Sequence, residues 1–458
     1  MMENKTNEDI DLIVNNPKKA LKKLSIPIII SNLFMILYNI IDGIWVSGLG
    51  PNSLAAVGFI TPIFLIIIGV GLGLSAGANS LISRYLGAEN YEMAENSAVH
   101  SIILSIVVTL AFTIVGLIVL KPLLLIMGAG DVISEAMSYG NIIVLGTYAI
   151  FIPLMILAIF RAEGEIKRAT YPLIAAAIIN VVLDPVFIYV LGLGVGGAAL
   201  ASVVSATIPS LLVVYWMFYK RDNFLKVRMR DYKRDFSIYK DILVVGVPAC
   251  LEQFVVSLFS ILVNYWLSII SGAVAVATYT AAWRLVAIAT TPVGGIGMAA
   301  LTVGGAAYGA KNLVNFKTTL NYGIKIGLVL SVFLSSLLFI FAEPLSVIFS
   351  YSQESSVLAP HIVGALRILC FFVLLIPFGS MSCSMFQSMG KGTTSLMLTI
   401  LRSSIFEILF VVLFAFVLSW GEPGVYIGNV VGANVGAVIA YICLRIYLNR
   451  HESDFNTE

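Results

Sequence analysis

Apolar residues run in long stretches along almost the whole chain, interrupted only by short charge clusters and by Gly, Pro and Asn breaks. Each stretch reaches the roughly 20 residues that a helix needs to cross a bilayer. The pattern predicts twelve spans, at about 26–46, 54–82, 97–120, 136–160, 169–190, 196–219, 241–267, 274–303, 319–341, 359–386, 395–418 and 424–447. Connections are short apart from residues 220–240, KRDNFLKVRMRDYKRDFSIYK, a polar segment after the sixth span. This reads as an all-α polytopic membrane protein with an N-terminal lobe (1–219, spans 1–6), a cytoplasmic linker (220–240) and a C-terminal lobe (241–458, spans 7–12).

The two halves carry the marks of an internal repeat. ISRYLGAENYEMAENS (82–97) answers to GAAYGAKNLVNFKTTL (305–320), KPLLLIMG (121–128) to EPLSVIFS (343–350), and FRAEG (160–164) to FQSMG (386–390), all at offsets of 222 to 226 residues. Chance rarely supplies three such matches at one period. An even number of spans per unit starts both copies on the same side, so the twelve transmembrane helices are expected as two parallel six-helix lobes related by a pseudo-two-fold axis along the membrane normal.

Composition removes the alternatives to a membrane fold. Of 458 residues, 59% are hydrophobic and 11% charged, and the mean hydropathy is +0.98; no soluble domain of useful size is left over. The N-terminal tail and every second connection hold 22 of the 27 Lys and Arg residues, whereas the alternate connections hold only Lys121. Positive residues mark the cytoplasmic side, so both termini are expected there, in a multi-pass protein of the cell membrane. Residues 1–25 lack the apolar core of a signal peptide. The four cysteines are scattered in apolar segments without metal-ligand spacing, and the three histidines have no obvious nucleophile beside them. Neither a metal centre nor a catalytic residue is expected, hence no enzyme, no cofactor and no nucleic-acid partner.

The chemistry lies in acids placed among apolar residues. A charge at the middle of a membrane helix costs about 2.5–3.5 kcal/mol on insertion scales, so such residues face a cavity, a partner or an ion. Asp184 is in NVVLDPVFIYVLG (180–192), with Asn180 one turn earlier on the same helix face. Pro185 offers no amide, which frees a carbonyl one turn back. A carboxylate, a carboxamide and a loosened carbonyl at one depth suit a proton or a small cation. Tyr38 and Asp42 repeat the i,i+4 spacing in span 1, with Asn39 beside them. Span 6 adds the Ser202 and Ser205 hydroxyls, which equally suit ordinary interhelical bonding. Each acid has a plainer reading as a helix cap or half of an ion pair. Glu252, after Pro248, is either a second coupling or substrate carboxylate or the partner of Arg284, and Glu407 reads as structural. At the 226-residue offset Asn180 and Asp184 fall on Phe406 and Phe410, so an ion site of this kind belongs to the first lobe alone. Gly424, Gly428, Gly432 and Gly436 form a ladder suited to close helix packing.

LYNIIDGIWVSGLGPNSLAAVG (37–58), GLSAGANSLISRYLGAEN (73–90) and above all INVVLDPVFIYVLGLGVGGAALAS (179–202) resemble the multidrug and toxic compound extrusion (MATE) transporters, and the resemblance extends over essentially the whole chain. It implies two lobes around a central cleft and cation-driven efflux of organic, often cationic and amphiphilic compounds by alternating access, with H⁺ or Na⁺ as the coupling ion. It also implies an N-lobe cation site at Asp42, Asn180, Asp184 and Ser202, the last where relatives often carry threonine, with Tyr139 beside it. A Na⁺ ion would be held by Asp42, Asn180 and Asp184. Tyr38, Asn39, Glu252 and Arg284 are candidates to line the substrate cleft. A branch that couples through C-lobe carboxylates is matched only in part, by Glu252.

Two other readings share these features. A flippase of lipid-linked oligosaccharide or lipid has a similar fold but tends to need a strongly cationic cavity, for which only Arg284, Arg367 and Arg402 are available. A passive channel, a different class, keeps buried polar residues without coupling. The expected partners are the bilayer and a small organic substrate, with no obligatory protein partner.

Overall fold

The structure is a computed structural model and describes residues 2–220, 223–228, 230, 232–348 and 358–455. Residues 221, 222, 229 and 231 of the linker lie outside the described residues.

Within hydrocarbon every backbone polar group has to be satisfied inside its own segment, and the chain does this by forming helices. Among the described residues, eleven helices are long and apolar enough to cross a membrane: Pro17–Val46, Asn52–Gly87, Tyr91–Ile126, Gly130–Ala162, Ile166–Val190, Gly194–Lys220, Phe236–Gly272, Val274–Gly309, Leu313–Ile340, Gly392–Val417 and Gly421–Arg450. A twelfth is the pair Ala359–Val373 and Ile376–Ser388, bent by 42°. All twelve expected spans are accounted for, and the fold is all-α. Gly272, at φ 72°, separates the seventh span from the eighth; a side chain is rarely tolerated at that φ.

Two compact units divide the chain, one of residues 1–15 and 30–250, the other of residues 16–29 and 251–458. The first unit is centred on a core that includes Val46, Ile60, Ile67, Leu124, Tyr139, Phe151 and Ile188. The second has its own, built around Val263, Leu267, Val286, Leu366, Val411 and Val425.

The repeated sequence motifs make the same local turns in each unit. Glu89 and Lys311 both adopt left-handed backbone, φ 56° and 52°. Each is followed by an asparagine whose side chain caps the next helix, Asn90 accepting from the Met93 amide and Asn312 from that of Asn315. Gly164 and Gly390, which close FRAEG and FQSMG, match at φ 80° and 78°.

The linker is fastened to the first unit. Leu225 donates its amide to Glu163 Oε1 (3.2 Å) and Lys226 to Glu95 Oε1 (2.9 Å). Asn96 makes two hydrogen bonds with the Lys233 backbone, and Lys233 Nζ pairs with Glu92. His100 Nδ1 donates to Asn96 O, leaving Nε2 to accept the Asp235 amide.

Candidate functional site

The site grows out of the hairpin of spans 5 and 6. Span 5 is α-helical over Ile166–Pro185 and then widens into a π segment, Val186–Val190. Pro185 supplies no amide; the Val186 amide reaches back to Leu183 O, and Leu191 N bonds Val186 O, five residues back. Along this span Ala177, Asn180, Asp184 and Ile188 are buried, whereas Ile178 and Val182 are 52% and 60% exposed. One helix face therefore carries both polar groups inward, at the spacing of one turn, and the opposite face is apolar as lipid requires.

Asn180 is 1% and Asp184 0% exposed. The Asn180 amide nitrogen donates to Asp184 Oδ1 at 3.1 Å and lies 3.4 Å from Ser202 Oγ in span 6. Tyr38 of span 1 shares a side-chain hydrogen bond with the same serine and is within electrostatic reach of both Asp42 and Asp184. The Asp42 charge acts on Asp184. Tyr139, buried in the core beneath, is coupled electrostatically to Asp42, Tyr38 and Asp184. Asp42, Asn180, Asp184, Ser202, Tyr139 and Tyr38 thus come together within one unit.

Three oxygens of this cluster are buried without a donor: Asp42 Oδ1, Asn180 Oδ1 and Asp184 Oδ2. An unpaired buried acceptor costs about 1–3 kcal/mol, more when charged, so the cluster stores a demand for positive charge. A hard cation bound through oxygen, or a proton, answers it. Among the described residues no three His, Cys, Asp or Glu side chains gather into a metal site; the donor set is two carboxylates, an amide and hydroxyls.

Other candidates lie elsewhere. Asn39 is exposed and spends its amide on the Met35 carbonyl, 2.6 Å. Ser205 donates back to Ser202 O, an ordinary intrahelical bond. Glu252 is not paired with Arg284 among the described residues: Gln387 Nε2 (3.1 Å) and Ser395 Oγ (2.7 Å) donate to it, and Arg284 is exposed.

Sequence reasoning missed Tyr189, whose hydroxyl donates to the Trp45 carbonyl at 2.6 Å while the two rings meet edge to face. This contact ties span 5 to span 1 one turn from Asp42; the only signal was a tyrosine five residues beyond Asp184. It also missed Arg161, 5% exposed, which donates to Ser75 Oγ at 2.6 Å. Glu163, fully buried beyond the end of span 4, is a third omission; burial pushes its carboxyl up to about 8 against the pull of the Leu225 amide.

The profile of the MatE family matches residues 27–186 and 248–413. The multidrug export protein MepA of Staphylococcus haemolyticus is 26% identical over 445 residues, covering 94% of each chain; that of Staphylococcus aureus is 24% identical over 444. Among solved structures, an outward-facing multidrug resistance MATE family transporter of the MOP superfamily is 38% identical, with a TM-score of 0.94 over 96% of this chain and 98% of that one. A MOP superfamily transporter from Pyrococcus furiosus, described by the reversed polarity of its binding pocket, is 38% identical at a TM-score of 0.93, over 98% and 99%.

Proposed function

The chain belongs to the MatE family of multidrug and toxic compound extrusion transporters, and on that premise we propose that it is a secondary active exporter which couples inward movement of H⁺ or Na⁺ to efflux of organic, cationic amphiphilic compounds. The observation that carries the coupling is the trio of buried, unpartnered oxygens on Asp42, Asn180 and Asp184. The export direction and the drug-like substrate class draw support from the MepA relatives, which are multidrug export proteins.

The mechanism follows from charge. With no cation present, the two carboxylates repel each other in a medium of low dielectric, and the site is held open by that repulsion. A proton or Na⁺ arriving from outside cancels it, so Asp42, Tyr38 and Ser202 close on Asp184, and spans 1, 5 and 6 repack. Repacking weakens the drug site on the outward side; loss of the cation to the cytoplasm resets it. Alternating access then needs no cofactor and no catalytic residue. The protein works in the plasma membrane with both termini cytoplasmic, as the Lys and Arg bias requires, and two complete lobes in one chain need no obligatory partner.

The test is uptake of ethidium into inverted membrane vesicles under proton and sodium gradients imposed separately, for wild type and Asp184→Asn. Uptake driven by one gradient and lost in the variant supports the reading and names the ion. Uptake indifferent to both gradients points to a channel, and movement of lipid-linked oligosaccharide without ethidium points to a flippase.

A further inference from the structure

The eleventh span holds a carboxyl that this site does not use. Two π segments, Leu401–Phe406 and Val412–Val417, bracket a single α-helical turn, Glu407–Val411. Span 12, whose glycines recur every four residues, sets the first of these. A Cβ on Gly424, Gly428, Gly432 or Gly436 would stand 2.7, 2.5, 2.4 and 2.6 Å from the Cα of Ala415, Val411, Glu407 and Arg402. The glycine steps are all four residues; the matching steps on span 11 are four, four and five, and the five-residue step falls in the π segment Leu401–Phe406. This close seam brings Arg402 and Glu407 onto the face that packs on span 12.

Glu407 is 3% exposed, and among the described residues no donor hydrogen-bonds it and no cation pairs with it within 4 Å. Arg402 reaches it electrostatically from its own span. Tyr279 of span 8 does so too, and accepts from Asn429 Nδ2 of span 12 at 3.1 Å. Tyr426 stacks on Tyr279, and its hydroxyl is spent on Glu422. Asn429 Oδ1 is fully buried with no donor.

Arg402 also acts on Glu252. One guanidinium therefore serves two carboxyls in a membrane interior, where an uncompensated charge is costly. Glu252 accepts from the Gln387 and Ser395 donors; Glu407 has none. We infer that Glu407 is a second proton-binding site, carried by residues 251–458 and distinct from the Asp42, Asn180 and Asp184 cluster, with Arg402 neutralising Glu252 while Glu407 takes up and releases one proton.

The experiment is pH-resolved infrared difference spectroscopy on the purified full-length protein, without drug or gradient, so that it is independent of the export reading. An Asp42→Asn/Asp184→Asn/Glu163→Gln background removes three acids of the first unit. One protonated-carboxyl band is expected to remain at neutral pH and bleach as pH rises, to survive Glu252→Gln and to vanish with Glu407→Gln. Absence of the band, its survival in Glu407→Gln or its loss in Glu252→Gln overturns the inference. If Glu407→Gln does not fold, wild type is labelled with dicyclohexylcarbodiimide, which modifies protonated carboxyls in apolar surroundings, and mapped by peptide mass spectrometry. A pH-dependent adduct on Glu407 supports the site; no adduct there, or one on Glu252 instead, refutes it.

Discussion

Asn180 Nδ2 stands 3.1 Å from Asp184 Oδ1, one turn away on the buried face of span 5, and the same nitrogen reaches Ser202 Oγ at 3.4 Å. One carboxamide thus fixes the carboxylate and joins it to span 6. Asn180→Leu keeps the volume and removes both contacts. A hydrogen bond to a charged group is worth about 1.5–3 kcal/mol, so the cation concentration for half-maximal export is expected to rise roughly tenfold or more. Equilibrium binding of ethidium to purified protein without a gradient should barely change. An unaltered cation dependence would reduce Asn180 to packing.

The inward face of span 5 was legible because Asn180, Asp184 and Pro185 break an apolar helix at one depth, and few membrane helices tolerate that without use. The number and order of the spans were legible for the same reason, since apolar length and charge leave little choice; their ends were not, because the helices run on past the apolar core, as from Pro17 rather than residue 26 in the first span. Tyr189 and Arg161 were not, because their roles depend on partners 144 and 86 residues away, and nothing local distinguishes them from an interfacial tyrosine or a cytoplasmic arginine. Which of its two readings Glu252 takes was not legible either; opposite charges in neighbouring spans carry no information about rotation of each helix, and Gln387 and Ser395, not Arg284, donate to it.

The glycine ladder gives a stability prediction. A methyl on Gly432 would meet Glu407 Cα at 2.4 Å and its N at 2.7 Å, both backbone atoms that no rotamer can move. Gly432→Ala is expected to destabilise by about 1–3 kcal/mol through overpacking. Gly364→Ala, where a Cβ meets nothing within 4 Å, should be neutral or slightly stabilising. Thermal unfolding of both variants in detergent decides it; equal midpoints would mean that the seam yields freely.

Fastening of the linker can be read by hydrogen exchange. Asn96 donates to the Lys233 carbonyl at 3.0 Å and accepts its amide at 3.2 Å. Asn96→Ala removes both bonds, each worth about 0.5–1.5 kcal/mol net. The Lys233 amide should then exchange on the order of tenfold faster, while the Leu225 amide, held by Glu163, keeps its protection. Uniform acceleration of both would show the linker opening as one unit.

Glu163 sets a pH dependence whose sign is fixed by burial. Its carboxyl is raised to about 8 in the fold, whereas an exposed glutamate titrates near about 4.3. Between those values the folded chain holds a proton that the unfolded chain has lost, so stability falls as pH rises through the window. Since Oε1 is the oxygen that accepts the Leu225 amide, Glu163→Gln retains that bond and deletes the titration. The variant should be about as stable as wild type near pH 4.5 and gain on it steadily towards pH 8, by an amount of order a few kcal/mol, since each tenfold change in proton affinity is about 1.4 kcal/mol. Thermal melts across that range check it, and parallel profiles for the two proteins would mean that water reaches the carboxylate and that burial does not control its charge.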